Sequence, residues 1–418
     1  MGTTKNKRGG TLSRRRFIQA VSTGAMAMAA GFSRGPAAAS GFGTGRMETG
    51  DLPGKMRYAI LGRSGIRASV FLGDQMTDIR MYELALASGV NYWHKIGQWA
   101  QPAPYELFRK LDRDSFYCDT IVDSLERDKA IEIFERALNK TGLPYIDGFK
   151  IHSEYRSAED VRTKMGAVRA FETLKKQGKT RHLMMSQHSN TAEVFAAAVE
   201  SELFDVIQIP VNPTVPMDYF TREKFIQKAS HDEYLGLIQK AADKNIGITA
   251  MKVFLGSPKT WDQVPDLKQR VGRYLPDNKS IATALIHWTM AVPGVKAFGN
   301  LLYSFDELRE NIEAIGGELT ANEDRGLREF ASAIGKHVCR GCTACQKANP
   351  GGVAVADILR FSMYHSGYGL PEMARRLYAE LPAAARVDAA MDLRRYESPC
   401  PYGLPVGRLL RQAHSRLA

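Results

Sequence analysis

The chain lacks any stretch that is long and apolar enough to be read as a membrane-spanning helix. Its longest mostly apolar run, at 17–32, is too short and too rich in Gly and Ser to cross a bilayer. A basic run with interleaved aromatic residues, the pattern expected of a nucleic-acid-binding surface, is missing too. We therefore expect a soluble mature protein with no membrane span and no nucleic-acid partner.

Acidic residues are missing from positions 1–39, where seven Lys and Arg residues stand. Because the whole chain has a formal net charge of +12, removing those seven charges leaves only +5. A charge of that size, spread over the rest of the chain, gives little electrostatic reason to expect an anionic partner.

The same N-terminal segment has the order of a targeting sequence. A basic stretch precedes the apolar run, and the small residues 37–39 follow it. Residues 13–19, Ser-Arg-Arg-Arg-Phe-Ile-Gln, resemble the twin-arginine export signal, whose paired arginines are read by a receptor. We expect cleavage after Ala39 and delivery to the periplasm by the twin-arginine export machinery. The alternative is a disordered basic arm.

Short β-type segments alternate with longer segments of helical period from Met56 onward, which favours a parallel sheet with crossover helices. The stretch 128–138 is predicted as a helix, because Ile131, Phe134 and Leu138 share one face. Eight strand-helix units fit a (β/α)8 TIM barrel, which typically has about 250 residues. The predicted strands are 69–72, 91–93, 116–122, 146–150, 182–185, 205–209, 247–251 and 295–298.

The pattern divides the chain into four parts. Residues 1–39 form the signal peptide, 40–55 a Gly-rich flexible linker, 56–335 the α/β barrel, and 336–418 a small, mainly helical segment. The stretch 212–231 is longer than a usual connection and is a candidate active-site flap.

Four of the five cysteines follow the spacing of an iron-sulfur protein. Cys339, Cys342 and Cys345 form C-x2-C-x2-C, and Cys400 precedes Pro401, as in the bacterial ferredoxin run. The fifth, Cys118, lies in a predicted strand and is most simply a buried apolar residue.

Ferredoxins with two clusters would place further cysteines at four positions that are filled here by other residues: Asn349, Ala390, Leu393 and Tyr396. Those four missing ligands are the complete set of one cluster, and the four cysteines present are the set of the other. The pattern therefore predicts a single 4Fe-4S cluster in a ferredoxin-like segment. A structural zinc site is the main alternative. Disulfides, the other alternative in an exported protein, fit poorly with three cysteines so close together.

Residues 55–331 open with the segment 57–69 and continue with short motifs at 89–93, 145–152, 204–208, 250–252 and 310–311. In this order they resemble the aldo-keto reductase family, specifically its branch with a C-terminal ferredoxin domain. The resemblance implies a TIM barrel and carbonyl reduction with NAD(P)H, in which a Tyr donates the proton, a Lys and an Asp tune it, and a His orients the substrate.

Carried over by position, the family's Asp falls on His94, its Tyr on Trp99 and its Lys on Ile121, and only His152 is kept. An indole offers one N–H and no useful acidity, so Trp99 cannot replace the Tyr. His94 and His152, with Lys252 as a third charged group at a strand end, are the candidate replacement for acid-base catalysis. On that hypothesis His152 would supply the proton and titrate near the usual histidine pKa of about 6.5. The alternative is that both histidines are satisfied polar residues in a shrunken pocket.

The resemblance also implies a nicotinamide site that is partly kept. Ser186, Gln187 and Gln208 would hold the carboxamide, and Gly299, Glu310 and Asn311 would lie near the phosphates and the adenine. The turn after the last strand, at 300–302, has no basic residue for a 2′-phosphate, so NAD(P)H is a candidate cofactor without an evident preference for NADP.

The expected function is an exported, aldo-keto reductase-like iron-sulfur oxidoreductase that acts on a small carbonyl or alcohol, with a redox partner protein. Two other functions stay open. One is a degenerate barrel that binds a ligand or partner beside a structural or electron-carrying cluster. The other is an enzyme of altered reaction type that uses His94 and His152 without hydride transfer.

Overall fold

The computed structural model describes residues 56–99, 102–188, 191–215, 230–255, 261–262, 264, 266–275, 279–334, 337–350, 352–367, 370–388 and 390–418. The predicted signal peptide and linker lie outside these residues, as does most of the predicted flap at 212–231. Among the described residues, no helix has the length and hydropathy needed to cross a membrane.

Eight parallel strands form one sheet that curls into a barrel. In chain order they are β3 (Phe71–Leu72), β4 (Tyr92–Trp93), β5 (Tyr117–Val122), β6 (Gly148–His152), β7 (His182–Ser186), β8 (Val206–Pro210), β9 (Gly247–Met251) and β10 (Val295–Gly299). Each strand pairs with its sequence neighbours, and β10 pairs with β3. A parallel bridge between Gly73 and Trp93 joins the two remaining edges and completes the ring.

The predicted (β/α)8 barrel is confirmed. All eight predicted strands are present, and their ends differ from the prediction by at most two residues. The barrel works as a core because alternate residues of each strand point inward, so each strand contributes to successive interior layers.

Helices cover the outside of the barrel. They are α1 (Ile79–Ala87), α2 (Ala103–Lys110), α3 (Arg127–Thr141), α4 (Ala158–Thr163), α5 (Gly166–Lys176), α6 (Thr191–Ser201), α7 (His231–Asp243), α8 (Leu267–Gly272), α9 (Ile281–Ala291), α10 (Phe305–Ala314) and α11 (Ala321–Ile334). Helix α3 contains the predicted 128–138 and ends at Gly142, which takes a left-handed conformation with φ 66°. Its buried face includes Phe134 and Leu138 as predicted, but Ile131 is only partly buried.

An antiparallel hairpin closes the bottom of the barrel. Strands β1 (Tyr58–Ile60) and β2 (Arg67–Ser69) pair with each other. Leu61, Ile66 and Ala68 of this hairpin pack in one cluster with residues of the barrel strands, namely Leu72, Tyr92, Met184, Val206 and Ala297. The bottom of the barrel is therefore a dry apolar plug, and polar side chains inside the barrel lie above it.

A separate, mainly helical core follows the barrel. Its helices are α12 (Ala344–Lys347), α13 (Val355–Ser366), α14 (Pro371–Ala379) and α15 (Val406–Leu417). Val355, Ile358, Tyr396 and Leu410 belong to an apolar cluster that is distinct from the barrel core. No strand occurs among the described residues after Gly299.

Candidate functional site

One interior layer of the barrel carries polar side chains where a TIM barrel usually packs branched apolar ones. The four positions of this layer come from alternate strands, β4, β6, β8 and β10, and are held by His94, just after β4, and by Lys150, Gln208 and Gly299. Gln208 Nε2 lies 2.9 Å from His94 Nε2, and Lys150 Nζ donates to Gln208 Oε1 at 3.2 Å. A Cβ on Gly299 would lie 3.0 Å from the His94 ring, so glycine leaves this ring its space.

Asp119 completes this polar cluster from β5. Its Oδ2 lies 2.7 Å from Lys150 Nζ and 2.6 Å from His94 Nδ1, and the Tyr92 hydroxyl donates to the same oxygen at 3.0 Å. All five side chains, of Tyr92, His94, Asp119, Lys150 and Gln208, are buried, and that of Asp119 is fully buried. We call these five residues the barrel cluster.

The charges of the barrel cluster depend on each other. Burial alone would raise the pKa of Asp119, but Lys150 and His94 lower it well below its usual value, so Asp119 is ionised. His94 Nδ1 lies 2.6 Å from Asp119 Oδ2 and 2.8 Å from Lys150 Nζ, and its Nε2 lies 2.9 Å from the Gln208 amide nitrogen, so all three partners hold the imidazole in place. Burial, and then the charge of Lys150, lowers the pKa of His94, which keeps this imidazole neutral.

The barrel cluster lies one step deeper than the family's tetrad positions. Asp119 precedes Ile121 by two residues on β5, and Lys150 precedes His152 by two residues on β6. Two residues of strand span about 6.6 Å, so the buried Asp and Lys lie about that far below the level at which the family's Lys and His would meet a substrate. The barrel cluster can support the residues above it, but its own exposure is too small for direct contact with a substrate.

The structure places Trp99 away from the barrel interior. Its ring lies 5.8 Å from the Tyr105 ring and 5.9 Å from that of Phe108, within an aromatic group on the helices α1 and α2. Trp99 is buried there, with its ring also 5.3 Å from that of Tyr82. The residue at the family's Tyr position therefore serves core packing.

Two histidines lie at the mouth of the barrel. The His152 and His188 rings meet edge to face with their centroids 4.8 Å apart. Burial, followed by the charges of Lys150, Lys95 and Lys252, lowers the pKa of His152 to about 4. The pKa of His152 therefore lies well below the expected value of about 6.5. At neutral pH the His152 ring is neutral and can accept a hydrogen bond. His188 is buried beside it, and its pKa is also lowered.

Lys252 stands at the same mouth, directly after β9, in a left-handed conformation with φ 57°. Burial, followed by the charges of Arg360 and Lys95, lowers its pKa to about 8, while the charge of Asp74 opposes the shift. Arg360 belongs to α13 of the C-terminal segment, and its charge also lowers the pKa of His188. The C-terminal segment therefore contributes a buried cation to the barrel mouth.

The residues expected to hold the nicotinamide carboxamide are mostly engaged elsewhere. Both ends of the Gln208 amide are taken by His94 and Lys150. Gln187 donates from Nε2 to the Tyr155 carbonyl at 3.0 Å. The Ser186 hydroxyl is buried without a hydrogen-bond partner among the described residues.

The residues expected near the phosphates and the adenine also have other contacts. Glu310 accepts a hydrogen bond from the Ser280 hydroxyl at the start of α9, and Asn311 accepts from the Asn300 amide at 3.3 Å. Gly299 faces the His94 ring. In this structure Gln208, Glu310 and Asn311 therefore have partners within the protein at the atoms expected to meet a cofactor, and the Ser186 hydroxyl has none among the described residues.

Four cysteines face one cavity in the C-terminal segment. Cys339, Cys342, Cys345 and Cys400 all line it, together with apolar residues such as Val355 and Val406. The backbone N–H of Gly341 donates to Cys339 Sγ and that of Leu404 to Cys400 Sγ, both at 3.4 Å. Such N–H groups aimed at sulfur are one of the features that tune iron-sulfur centres.

All five cysteines are free thiols, so the disulfide alternative does not hold in this structure. Burial raises the pKa of Cys339 to about 11 and that of Cys345 to about 12, and the neighbouring thiols add to both shifts. Within the described ranges, no group of three or more His, Cys, Asp or Glu side chains is arranged to hold a metal ion. The four thiols share one cavity without forming a site for a single ion. Cys118 is fully buried within β5, as predicted.

At the positions where a second cluster would need cysteines, other side chains pack or form hydrogen bonds. Tyr396 and Leu393 are buried in the core of the segment. The Tyr396 hydroxyl accepts from the Val353 backbone N–H at 3.0 Å. Asn349 donates from Nδ2 to the Cys345 carbonyl at 2.9 Å.

Asp119 and Lys150 are the residues that sequence reasoning missed. Each is a charged residue inside a strand that was predicted to be buried, and a buried charge needs a partner. Because inward positions alternate along parallel strands, Lys150 had to point to the same side as His152. That periodicity was the signal that could have identified the pair.

Comparison with known proteins identifies the barrel. The sequence profile described as the Aldo/keto reductase family matches residues 105–329. A search of curated proteins found no match to this chain.

Solved structures with the same fold include the holo and apo forms of the aldo-keto reductase AKR11C1 from Bacillus halodurans. The holo form is 18% identical, with a TM-score of 0.53, and the match covers 66% of this chain and 97% of the other. The apo form is 19% identical, with a TM-score of 0.51 and the same coverage. At these identities the likeness concerns the fold alone.

Replacing Lys150 should show how much the buried ion pair contributes to the free energy of unfolding. Lys150→Met leaves Asp119 buried without its main counter-charge, so we expect the free energy of unfolding to fall by about 3–5 kcal/mol in urea titrations at pH 7. The double variant Asp119→Asn with Lys150→Met should lose clearly less than the two single losses added together. Arg136→Met, which removes an exposed pair with Glu132, is the control and should cost under about 0.5 kcal/mol. Strict additivity would show that the pair does not act as a unit.

Proposed function

Since the chain belongs to the aldo/keto reductase family, we propose that it is an iron-sulfur oxidoreductase that acts on a small carbonyl or alcohol at the barrel mouth. In this proposal Cys339, Cys342, Cys345 and Cys400 hold one 4Fe-4S cluster in a ferredoxin-like segment. The observation that carries the proposal is the convergence of these four thiols, in ferredoxin spacing, on one cavity.

The ferredoxin spacing of the thiols supports a cluster over zinc. A tetrahedral zinc ion with bonds of about 2.3 Å would draw its four sulfurs to within about 3.8 Å of each other. A cubane holds them further apart, because each thiolate binds a different iron. Cys339, Cys342, Cys345 and Cys400 line one cavity, and their spacing along the chain is that of a 4Fe-4S ligand set. Bound iron would offset their raised pKa values, and the cluster would carry one electron at a time.

Lys252 is the residue best suited to deliver a proton at the barrel mouth. A general acid works best when its pKa lies near the working pH, and the pKa of Lys252 is lowered to about 8. His152, with a pKa lowered to about 4, is neutral and would accept a hydrogen bond from a substrate hydroxyl. We therefore assign the proton to the Lys252 ammonium group and substrate orientation to His152, with His94 as part of the supporting barrel cluster.

A ligand-binding barrel without turnover is the second candidate function. The specific observation in its favour is that the buried Asp119 and Lys150 lie below the level of the family's tetrad and within a closed network. In that case the cluster would carry electrons or stabilise the segment, and the mouth would only bind.

We also propose that the protein is exported folded to the periplasm by the twin-arginine route, on the strength of the sequence order at 1–39. Export in the folded state suits a protein whose cluster is assembled in the cytoplasm.

Metal analysis tests the cluster. The anaerobically purified full-length protein should be brown and contain about four irons and four sulfides per chain. Cys400→Ala should lose the visible absorption or make it labile. Cys118→Ala removes a buried thiol that lies outside the cavity, and it should keep the iron. One zinc per chain and no visible absorption would replace the cluster with a structural zinc site.

Turnover of a carbonyl panel tests the barrel mouth. We expect the rate to fall above about pH 8, as Lys252 loses its proton, and to fall at least about 100-fold in Lys252→Met. His152→Gln should raise KM more than it lowers kcat, because His152 only orients the substrate. Reduced viologen, NADH and NADPH are supplied as donors in separate assays. Absence of turnover with every donor, together with saturable ligand binding, would support the binding barrel.

A fusion protein tests export. A reporter joined to residues 1–45 should reach the periplasm, and replacing Arg14 and Arg15 together with Lys should leave it in the cytoplasm. The twin-arginine assignment is wrong if the Lys-Lys form is exported equally well.

A further inference from the structure

An arginine next to the first cysteine borders one side of the cysteine cavity. Arg340 follows Cys339 directly and is among the residues that line the cavity. Its guanidinium carbon lies 4.4 Å from the centre of the Tyr402 ring. Tyr402 lines the same cavity and follows Cys400 by two residues. The stacked pair therefore joins the chain beside the first cysteine to the chain beside the fourth.

The turn after Cys400 fixes the position of Tyr402. The backbone N–H of Gly403 donates to the Cys400 carbonyl at 3.1 Å, and Gly403 has φ 64°, a left-handed conformation that suits glycine. Leu404 is buried in the core of the segment, and its backbone N–H donates to Cys400 Sγ at 3.4 Å. Both chain neighbours that anchor Tyr402 are thus held, and so is the surface on which the Arg340 guanidinium stacks.

The Nε atom of Arg340 is a buried donor without an acceptor among the described residues. Buried N–H groups are nearly always paired, because a donor that has lost its water is stabilised only by a new acceptor. The rest of the cavity lining consists of thiols, apolar side chains and the hydroxyls of Thr343 and Tyr402, and none of these accepts from the Nε atom. The acceptor that suits Arg340 is therefore a group that occupies the cavity.

Two sulfurs of the cavity already accept backbone hydrogen bonds. The N–H of Gly341 donates to Cys339 Sγ at 3.4 Å, as the N–H of Leu404 does to Cys400 Sγ. These are the two partly exposed thiols of the four. Arg340 adds a side-chain donor to the same partly exposed side of the cavity, and a side-chain donor can be removed by substitution.

A positively charged donor favours the reduced form of an iron-sulfur cluster. A cluster held by four thiolates is anionic, and it gains one more negative charge when it takes up an electron. A hydrogen bond to sulfur and a positive charge close by stabilise the more negative form, which raises the reduction potential. The charge of Arg360 acts on Cys339 as well. A test on Arg340 therefore leaves Arg360 in place.

We propose that Arg340 sets the reduction potential of the 4Fe-4S cluster by donating its buried Nε–H to a sulfur of the cluster, with Tyr402 holding the guanidinium in place. This inference rests on the proposed cluster and assigns a residue that tunes it. Arg340 does not bind iron, so its replacement should change the potential while the cluster stays bound.

A redox titration followed by EPR tests the proposal on the full-length holoprotein. Arg340→Met keeps most of the side-chain volume and removes both the donor and the charge. At a fixed potential, the ratio of reduced to oxidised cluster should fall at least about tenfold, a downward shift of about 59 mV for a one-electron couple. Arg408→Met is the matched control, because Arg408 is exposed on α15 and outside the cavity lining. It should change the ratio by less than about twofold.

Two further variants separate the hydrogen bond from the charge. Arg340→Lys keeps a positive charge but has no N–H at the Nε position, so the ratio should still fall at least about threefold. Tyr402→Leu removes the ring on which the guanidinium stacks and should shift the ratio in the same direction. An unchanged potential in Arg340→Met would overturn the assignment. A potential lowered in Arg340→Met but unchanged in Arg340→Lys would leave only a charge effect and overturn the hydrogen bond.

Iron content separates this inference from the cluster proposal. Each protein is assayed for iron and sulfide before the titration. An unmodified protein without iron contradicts the cluster proposal, and the tuning role falls with it. A protein with about four irons per chain whose potential does not depend on Arg340 contradicts the tuning role alone. Loss of iron from both Arg340 variants, with iron kept in Arg408→Met, would make Arg340 a residue needed for assembly and would also overturn the tuning role.

Discussion

The ion pair between Asp119 and Lys150 governs the interior of the barrel. Two opposite charges without contact to water are tolerated only with good geometry and satisfied neighbours. Tyr92, His94 and Gln208 provide those neighbours, and their own orientations are fixed in return. Glycine at 299 follows from the same constraint, because a side chain there would press on the His94 ring. The polar interior layer depends on this one pair, and so does the Gln208 amide, whose two ends contact Lys150 and His94. His152 lies two residues further along β6 than Lys150, nearer to the barrel mouth.

Sequence reasoning reached the fold because barrel strands and helices differ in period, and all eight strands were found. It chose His152 and Lys252 because barrel chemistry lies at strand ends, and the structure places His152 at the end of β6 and Lys252 directly after β9. It did not reach Asp119 and Lys150, since their partners come from neighbouring strands about 30 residues away, and the contact exists only once the sheet has closed. Trp99 was assigned to the family's Tyr position by its place in the sequence. In the structure its large ring packs between helices, against Tyr105 and Phe108.

Arg360 links two regions that are otherwise separate. It extends from α13, whose Val355 and Ala356 line the cysteine cavity, and its charge acts on Lys252 and His188 at the barrel mouth. Its charge also acts on Cys339. One buried guanidinium therefore acts electrostatically on both the cysteine cavity and the barrel mouth.

The packing of Tyr396 and Leu393 has a consequence for how the segment can evolve. If an ancestor held two clusters, the loss of one could not be reversed by restoring cysteines one at a time. Replacement of Leu393 or Tyr396 would first remove a buried side chain from a small core, at about 3–5 kcal/mol for the aromatic residue, before any iron could bind. The packing at these two positions therefore opposes the return of a second set of cysteine ligands.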